Sequence, residues 1–98
     1  MTVEKKQNAE ELTLFVSGRV DTTNAKEFED VVSSSLDGIK SLIMDFSELE
    51  YISSAGLRVL LIAIKRMNKQ GSMVIRNANE MVKEIFDVTG FSDMVDIE

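Results

Sequence analysis

The sequence predicts one small α/β domain, with a mixed sheet that has a parallel centre and an N-terminal antiparallel hairpin and that is packed with helices. Three observations carry this. Apolar residues switch along the chain between a two-residue and a three-to-four-residue spacing, so strand and helix patterns alternate. The run Leu42-Ile43-Met44 is apolar without interruption, as in a strand buried on both faces and therefore central and parallel. The 98 residues, 44% hydrophobic and 29% charged, suffice for one core and are too few for two. Residues 1–98 are thus expected to form a single domain.

The elements follow in order. Residues 2–6 read as a first strand, and Gln7-Asn8-Ala9-Glu10 has the polar composition of a hairpin turn. In a second strand over residues 12–17, Leu12, Leu14 and Val16 share one face while Phe15 covers the other. Gly18 is expected to end it. Ala25, Phe28, Val32 and Leu36 then recur at helical steps, which predicts an amphipathic helix closed by Asp37-Gly38. Asp21, Thr22 and Thr23 precede it and are types whose oxygens satisfy free N–H groups at a helix start.

The central strand ends in Asp45-Phe46, and residues 47–52 read as a polar link. Ser53-Ser54 caps a second helix with Leu57, Leu60, Leu61 and Ile64 as its core stripe, stopped near Gly71. Residues 73–76 form another strand. Asn77 to Asn79 open a third helix through Val82, Ile85 and Phe86, Gly90 stops it, and residues 94–97 supply a short last strand. Met44, Met67, Met73 and Met81 are read as gap-filling core residues.

Composition excludes several chemistries. With no Cys and no His, the chain has no disulfide, no thiolate nucleophile and neither of the commonest zinc ligands. Eleven Lys and Arg against seventeen Asp and Glu leave a net charge of -6, the wrong sign for gripping phosphate backbones, so no direct nucleic-acid partner is expected. The longest apolar run, residues 59–64, is too short to cross a bilayer. Membrane insertion is not expected, and the cytoplasm is the expected location. No Gly-rich phosphate loop, metal-ligand spacing or activated nucleophile stands out, so neither catalysis nor a cofactor is expected.

The most informative stretch is residues 45–61, where a buried strand leads through the link into Ser53-Ser54-Ala55-Gly56 and an apolar helix. Functional groups in open α/β sheets gather beyond the carboxyl ends of strands, and a helix N-terminus offers free N–H groups and partial positive charge. This stretch resembles the signature of STAS domains, the family of bacterial anti-sigma factor antagonists. Gly18-Arg19-Val20-Asp21 is similar to the family's Gly-x-x-Asp, and residues 85–91 are similar to the end of its last helix, so the likeness spans nearly the whole chain.

The resemblance implies a STAS-like domain with a four- to five-stranded sheet and about three to four helices. It implies further that the unphosphorylated protein binds an anti-sigma factor, itself a serine kinase, and so releases a sigma factor. Aligning Gly56 makes Ser54 the phosphoacceptor, with a PP2C-type phosphatase resetting the switch. Ser53 stands where the family's regulatory members usually carry Asp, and Ala55 where they carry Ser or Thr. A second reading is a non-switching STAS subunit of a larger transport or sensory complex.

Structural readings stand beside these functional ones. Ser53 and Ser54 are also ordinary helix caps, worth about 1 kcal/mol. Asp21 either caps the first helix or, with Thr22, meets a partner beside Ser54. Asp45 ends a central strand like a receiver-domain aspartate, but the companion acids and lysine are missing, so it reads as structural. Residues 52–78 hold no acid and five cations, Arg58, Lys65, Arg66, Lys69 and Arg76. On the second helix Ala55, Val59, Ile62 and Arg66 lie roughly opposite the core stripe. They are either covered by a neighbour or form a docking patch, for which Arg58, Val59 and Ile62, next to Ser53, Ala55 and Gly56, are the candidates.

Overall fold

A computed structural model describes residues 1–98. Strand β1 (Thr2–Asn8) and strand β2 (Glu11–Val20) form an antiparallel hairpin, with Asn8 paired to Glu11 and only Ala9 and Glu10 between them. The turn places Ala9 at φ 55. Helix α1 (Ala25–Ser35), strand β3 (Ser41–Asp45), strand β4 (Leu49–Ile52) and helix α2 (Ser54–Gln70) follow. Strand β5 (Ser72–Arg76), helix α3 (Glu80–Thr89), a 3-10 turn (Phe91–Asp93) and strand β6 (Asp96–Ile97) complete the chain.

The sheet runs β1-β2-β3-β5-β6, parallel except for the hairpin, and β4 pairs with the far end of β2. The expected class, the parallel centre and the N-terminal hairpin are observed, with six strands and three α-helices. The sheet thus has one strand more than the four to five expected: β4 falls in what reads as a polar link. Its four residues bury Leu49 and Ile52 but expose Glu50, a pattern too short and too irregular to show a two-residue period.

Gly18 does not end β2. The strand continues to Val20, and Gly18 instead sits at φ 85 where the register shifts between Gly18 and Arg19. A bulge of this kind needs the left-handed region that glycine enters freely. Up to Phe15, β2 pairs with β3; from Gly18 on it pairs with β4, and the Gly18 N–H donates to the Glu48 carbonyl at 2.9 Å. One strand thereby supports two successive neighbours, which carries the chain from the buried sheet centre to the surface corner where α2 starts.

One face of the sheet supports the core. Leu12, Leu14 and Val16 join Leu42, Met44 and Ile75 in a buried cluster with Phe28 of α1, Leu60 and Met67 of α2, and Val82 and Phe86 of α3. Ile43 is buried but lies outside that cluster, as its alternate position in the strand requires. Met44, Met67 and Met73 pack as expected, whereas Met81 is 56% exposed, because its position on α3 turns away from the face that carries Val82 and Phe86.

Candidate partner-binding corner

Val20 at the end of β2 pairs with Ile52 at the end of β4, and the Ser53 N–H donates to the Val20 carbonyl at 2.8 Å. The two chain segments therefore leave the sheet side by side, one as Asp21 and Thr22, the other as Ser53 and Ser54. The second reading of Asp21 requires it to lie beside Ser54, and the pairing of β2 with β4, which the sequence does not announce, makes the two neighbours.

At the first junction Asp21 does not cap α1. The cap position belongs to Asn24, which makes no side-chain capping bond. The Asp21 carboxylate instead accepts from the Thr23 backbone N–H at 3.0 Å and from the Thr23 hydroxyl at 2.5 Å. These bonds, the hydroxyl foremost, hold its pKa below the usual carboxylate value. Asn24 fastens the turn by accepting from the Asp21 N–H at 2.9 Å and donating to the Arg19 carbonyl at 2.9 Å. Thr22 is exposed on the outside of this closed loop.

At the second junction Ser53 is the N-cap of α2, and its hydroxyl accepts from the Gly56 N–H at 3.3 Å. Its carbonyl takes the Leu57 N–H at 2.9 Å. Ser54, the first helical residue, is exposed, and Ala55 is half-buried. First-turn N–H groups at Ser54 and Ala55 have no acceptor within a helix, so they and the dipole favour negative charge there. Gly56 fixes the depth of this corner: a Cβ on it would lie 2.6 Å from Ile52 Cγ1 and 2.7 Å from Val20 Cγ1. Glycine lets the first turn of α2 rest directly on the ends of both strands. Its role is close packing, and being buried it offers a partner no side chain.

Arg58 is exposed one turn further on, and Ile62 is 38% exposed after another. Val59 lies in the core at 2% exposure, which corrects its reading as a docking residue; of the three candidates only Arg58 and Ile62 are exposed. Val59 shares its side of α2 with Arg66, seven residues on. Arg66 donates to the Ser33 carbonyl at 3.0 Å and pairs with Asp37, so the end of α1 covers that side.

Two stabilising contacts, both made to β4, are not legible in the sequence. Arg19 lies over the Tyr51 ring, 4.7 Å from its centroid, across the β2–β4 pair. Asn79 caps α3 by accepting from the Val82 N–H at 2.8 Å, and its amide donates to the Leu49 carbonyl at 3.1 Å, tying α3 to β4. An Asn directly before a helical pattern signals the cap, but only the fold shows the reach to β4. Asp45 is structural, as read. Its partial burial alone would raise the carboxyl pKa, but bonds from Ser47 and Asn77 and the charge of Arg76 outweigh that and hold it low.

No group of three or more acidic side chains is placed so that it could hold a metal ion. None of the surface depressions is lined by Ser53, Ser54 or Arg58. The corner is an open surface with the exposed Ser54 hydroxyl at a helix start, where negative charge is favoured. No helix is long and apolar enough to cross a membrane.

A family model for the STAS domain matches residues 1–98. The chain belongs to the STAS domain family. Among curated proteins this STAS domain is 36% identical over 78 residues to BtrV of Bordetella bronchiseptica, a protein named as an anti-sigma factor antagonist, covering 78% of this chain and 67% of BtrV. It is 28% identical over 98 residues to the anti-sigma-B factor antagonist of Bacillus subtilis, covering 99% of this chain and 90% of that protein. Its fold matches the anti-sigma factor antagonist SpoIIAA in the unphosphorylated form, with a TM-score of 0.85 at 15% identity over 99% of this chain and 88% of SpoIIAA. The phosphorylated form of SpoIIAA matches with a TM-score of 0.77 at 14% identity over 99% and 91%.

Proposed function

We propose that this STAS domain is an anti-sigma factor antagonist whose unphosphorylated form binds an anti-sigma factor, and that phosphate on Ser54 ends the binding. One observation carries the reading: Ser53 performs the cap, which leaves the Ser54 hydroxyl exposed at the first position of α2. The anti-sigma factor is a serine kinase that supplies the phosphate, and a PP2C-type phosphatase removes it. Asp21, Thr22, Ser53 and Ala55 beside Ser54, with Arg58 and Ile62 one and two turns further along α2, form the contact surface. The protein acts in the cytoplasm by binding and performs no catalysis of its own.

The physics of the switch is local. A phosphoserine adds about -1.5 to -2 charges and three strong acceptors, at a helix end where an anion gains about 0.3 to 1 kcal/mol. The domain therefore keeps its fold, and the effect falls on the partner, which meets bulk and charge where it had a neutral hydroxyl. Calorimetric titration of the purified anti-sigma factor into the unphosphorylated and Ser54-phosphorylated chain tests this. Tight binding of the first and loss in the second is expected; equal binding of both would point instead to a non-switching subunit of a larger transport or sensory complex.

A further inference from the structure

We propose that the exposed side of α2, from Ser54 to Lys69, is a docking ridge for a partner helix that presents an acidic face around an apolar residue. The inference rests on the Ser54 reading and extends it from one corner to the whole helix, specifying what the partner must offer. At 100° per residue Ser54, Arg58, Ile62, Lys65 and Lys69 fall within roughly 80° of the helix surface, and all five are exposed. Fifteen residues separate its ends, about 22 Å at 1.5 Å per residue, the length of about four helical turns.

Three of the chain's eleven Lys and Arg residues lie on this ridge, and α2 contains no acid. The three ion pairs of the molecule are Lys26–Asp30, Arg66–Asp37 and Arg76–Glu98, so Arg58, Lys65 and Lys69 all stand without a counter-charge. Arg66, the fourth cation of α2, lies off the ridge and is held at the end of α1. The helix dipole accounts for Lys69 in the last turn but opposes Arg58 in the second. Within a chain of net charge -6, a separate cationic stripe serves to attract an acidic surface. Ile62, midway along the stripe and at one edge of it, is 38% exposed and gives that surface an apolar anchor, with the half-buried Leu61 along the other edge.

A partner helix with acids at three- and four-residue spacing around one apolar side chain complements this pattern. The overall negative charge and the narrow apolar strip disfavour an anionic lipid surface and nucleic acid. The ridge also links docking to the switch. Ser54 and Arg58 are four residues apart, so phosphate on Ser54 draws Arg58 onto itself and offsets much of the ridge's charge of +3.

The test measures affinity for the purified anti-sigma factor at low and at physiological salt, using wild type, the ridge variant Lys65→Glu with Lys69→Glu, and a control of equal charge change on β1, Lys5→Glu with Lys6→Glu. Circular dichroism checks that each is folded. The ridge variant should bind at least about tenfold more weakly and lose most of the salt dependence, with the control within about twofold of wild type. Equal affinity of ridge variant and wild type would overturn the proposal. If wild type binds no anti-sigma factor, the Ser54 reading fails, and the ridge is then judged on a fluorescent helical peptide with Glu and Leu at three- and four-residue spacing. Binding that the ridge variant loses supports the ridge. Absent or charge-independent peptide binding overturns it, as does ridge-dependent binding to phosphatidylserine vesicles without peptide binding.

Discussion

The two strand-to-helix junctions of this STAS domain lie side by side, yet they spend their polar groups differently. Between β2 and α1, Asp21, Thr23 and Asn24 bond to one another and to the Arg19 carbonyl, so the junction is closed upon itself. Between β4 and α2, Ser53 alone does the capping, and Ser54 is left exposed on a helix N-terminus that rests on Gly56. A loop whose polar groups satisfy each other is a scaffold. One that leaves a hydroxyl free at a site of positive potential can be modified without unfolding anything.

Placing charge at the open junction should have the largest effect. Ser54→Asp should weaken anti-sigma factor binding by about a hundredfold, roughly 2.7 kcal/mol, with an unchanged far-UV circular dichroism spectrum. Gly56→Ala sharpens the comparison from the packing side. Its methyl must displace Ile52 and Val20, so denaturant unfolding should show a loss of about 1 to 3 kcal/mol. At the closed junction, Asn24→Ala removes two bonds at once and should cost about 1 to 2 kcal/mol in the same measurement, while leaving phosphorylation of Ser54 intact.

Smaller effects separate the two serines and test the carboxylate. Ser53→Ala should cost about 0.5 to 1 kcal/mol as a lost cap, towards the low end because its bond to the Gly56 N–H is 3.3 Å long. Ser54→Ala should leave thermal stability nearly unchanged. The smallest effect belongs to Asp21→Asn. Because the folded-state pKa of Asp21 is lowered from 3.8, its ionised form contributes stability above about that pH, and the contribution disappears as pH falls through the lowered value. Acid titration of wild type and variant should therefore show a small wild-type advantage at neutral pH that vanishes well below pH 4; an advantage that grows on acidification would contradict the assignment.

Much of this was legible in the sequence, and the exceptions share a cause. Phe28, Val32, Leu60 and Ile64 announce their helices because periodic burial against a sheet leaves a periodic trace. Leu42-Ile43-Met44 announces the central strand for the corresponding reason. The strand β4 left none, since four residues with Glu50 among them cannot repeat a pattern, and Gly18 reads as a stop because bulge and terminus use the same residue type. Val59 was ambiguous because apolar residues on two sides of α2 do not reveal which side α1 covers. Ser54 was legible through family likeness. That Ser53 takes the cap and frees Ser54, and that Asp21 bonds to Thr23, depends on bond partners set by the fold.

The most direct test of the difference between the junctions is intact-mass and peptide-fragmentation analysis of the chain purified from its native cells across growth and stress conditions, with Ser54→Ala alongside. A single phosphate is expected, located on Ser54 and missing from the Ala variant. A phosphate on Thr22, Thr23 or Ser53 instead, or none under any condition while the protein remains in a stable complex, would contradict that expectation and return Ser54 to the role of an ordinary first residue of α2.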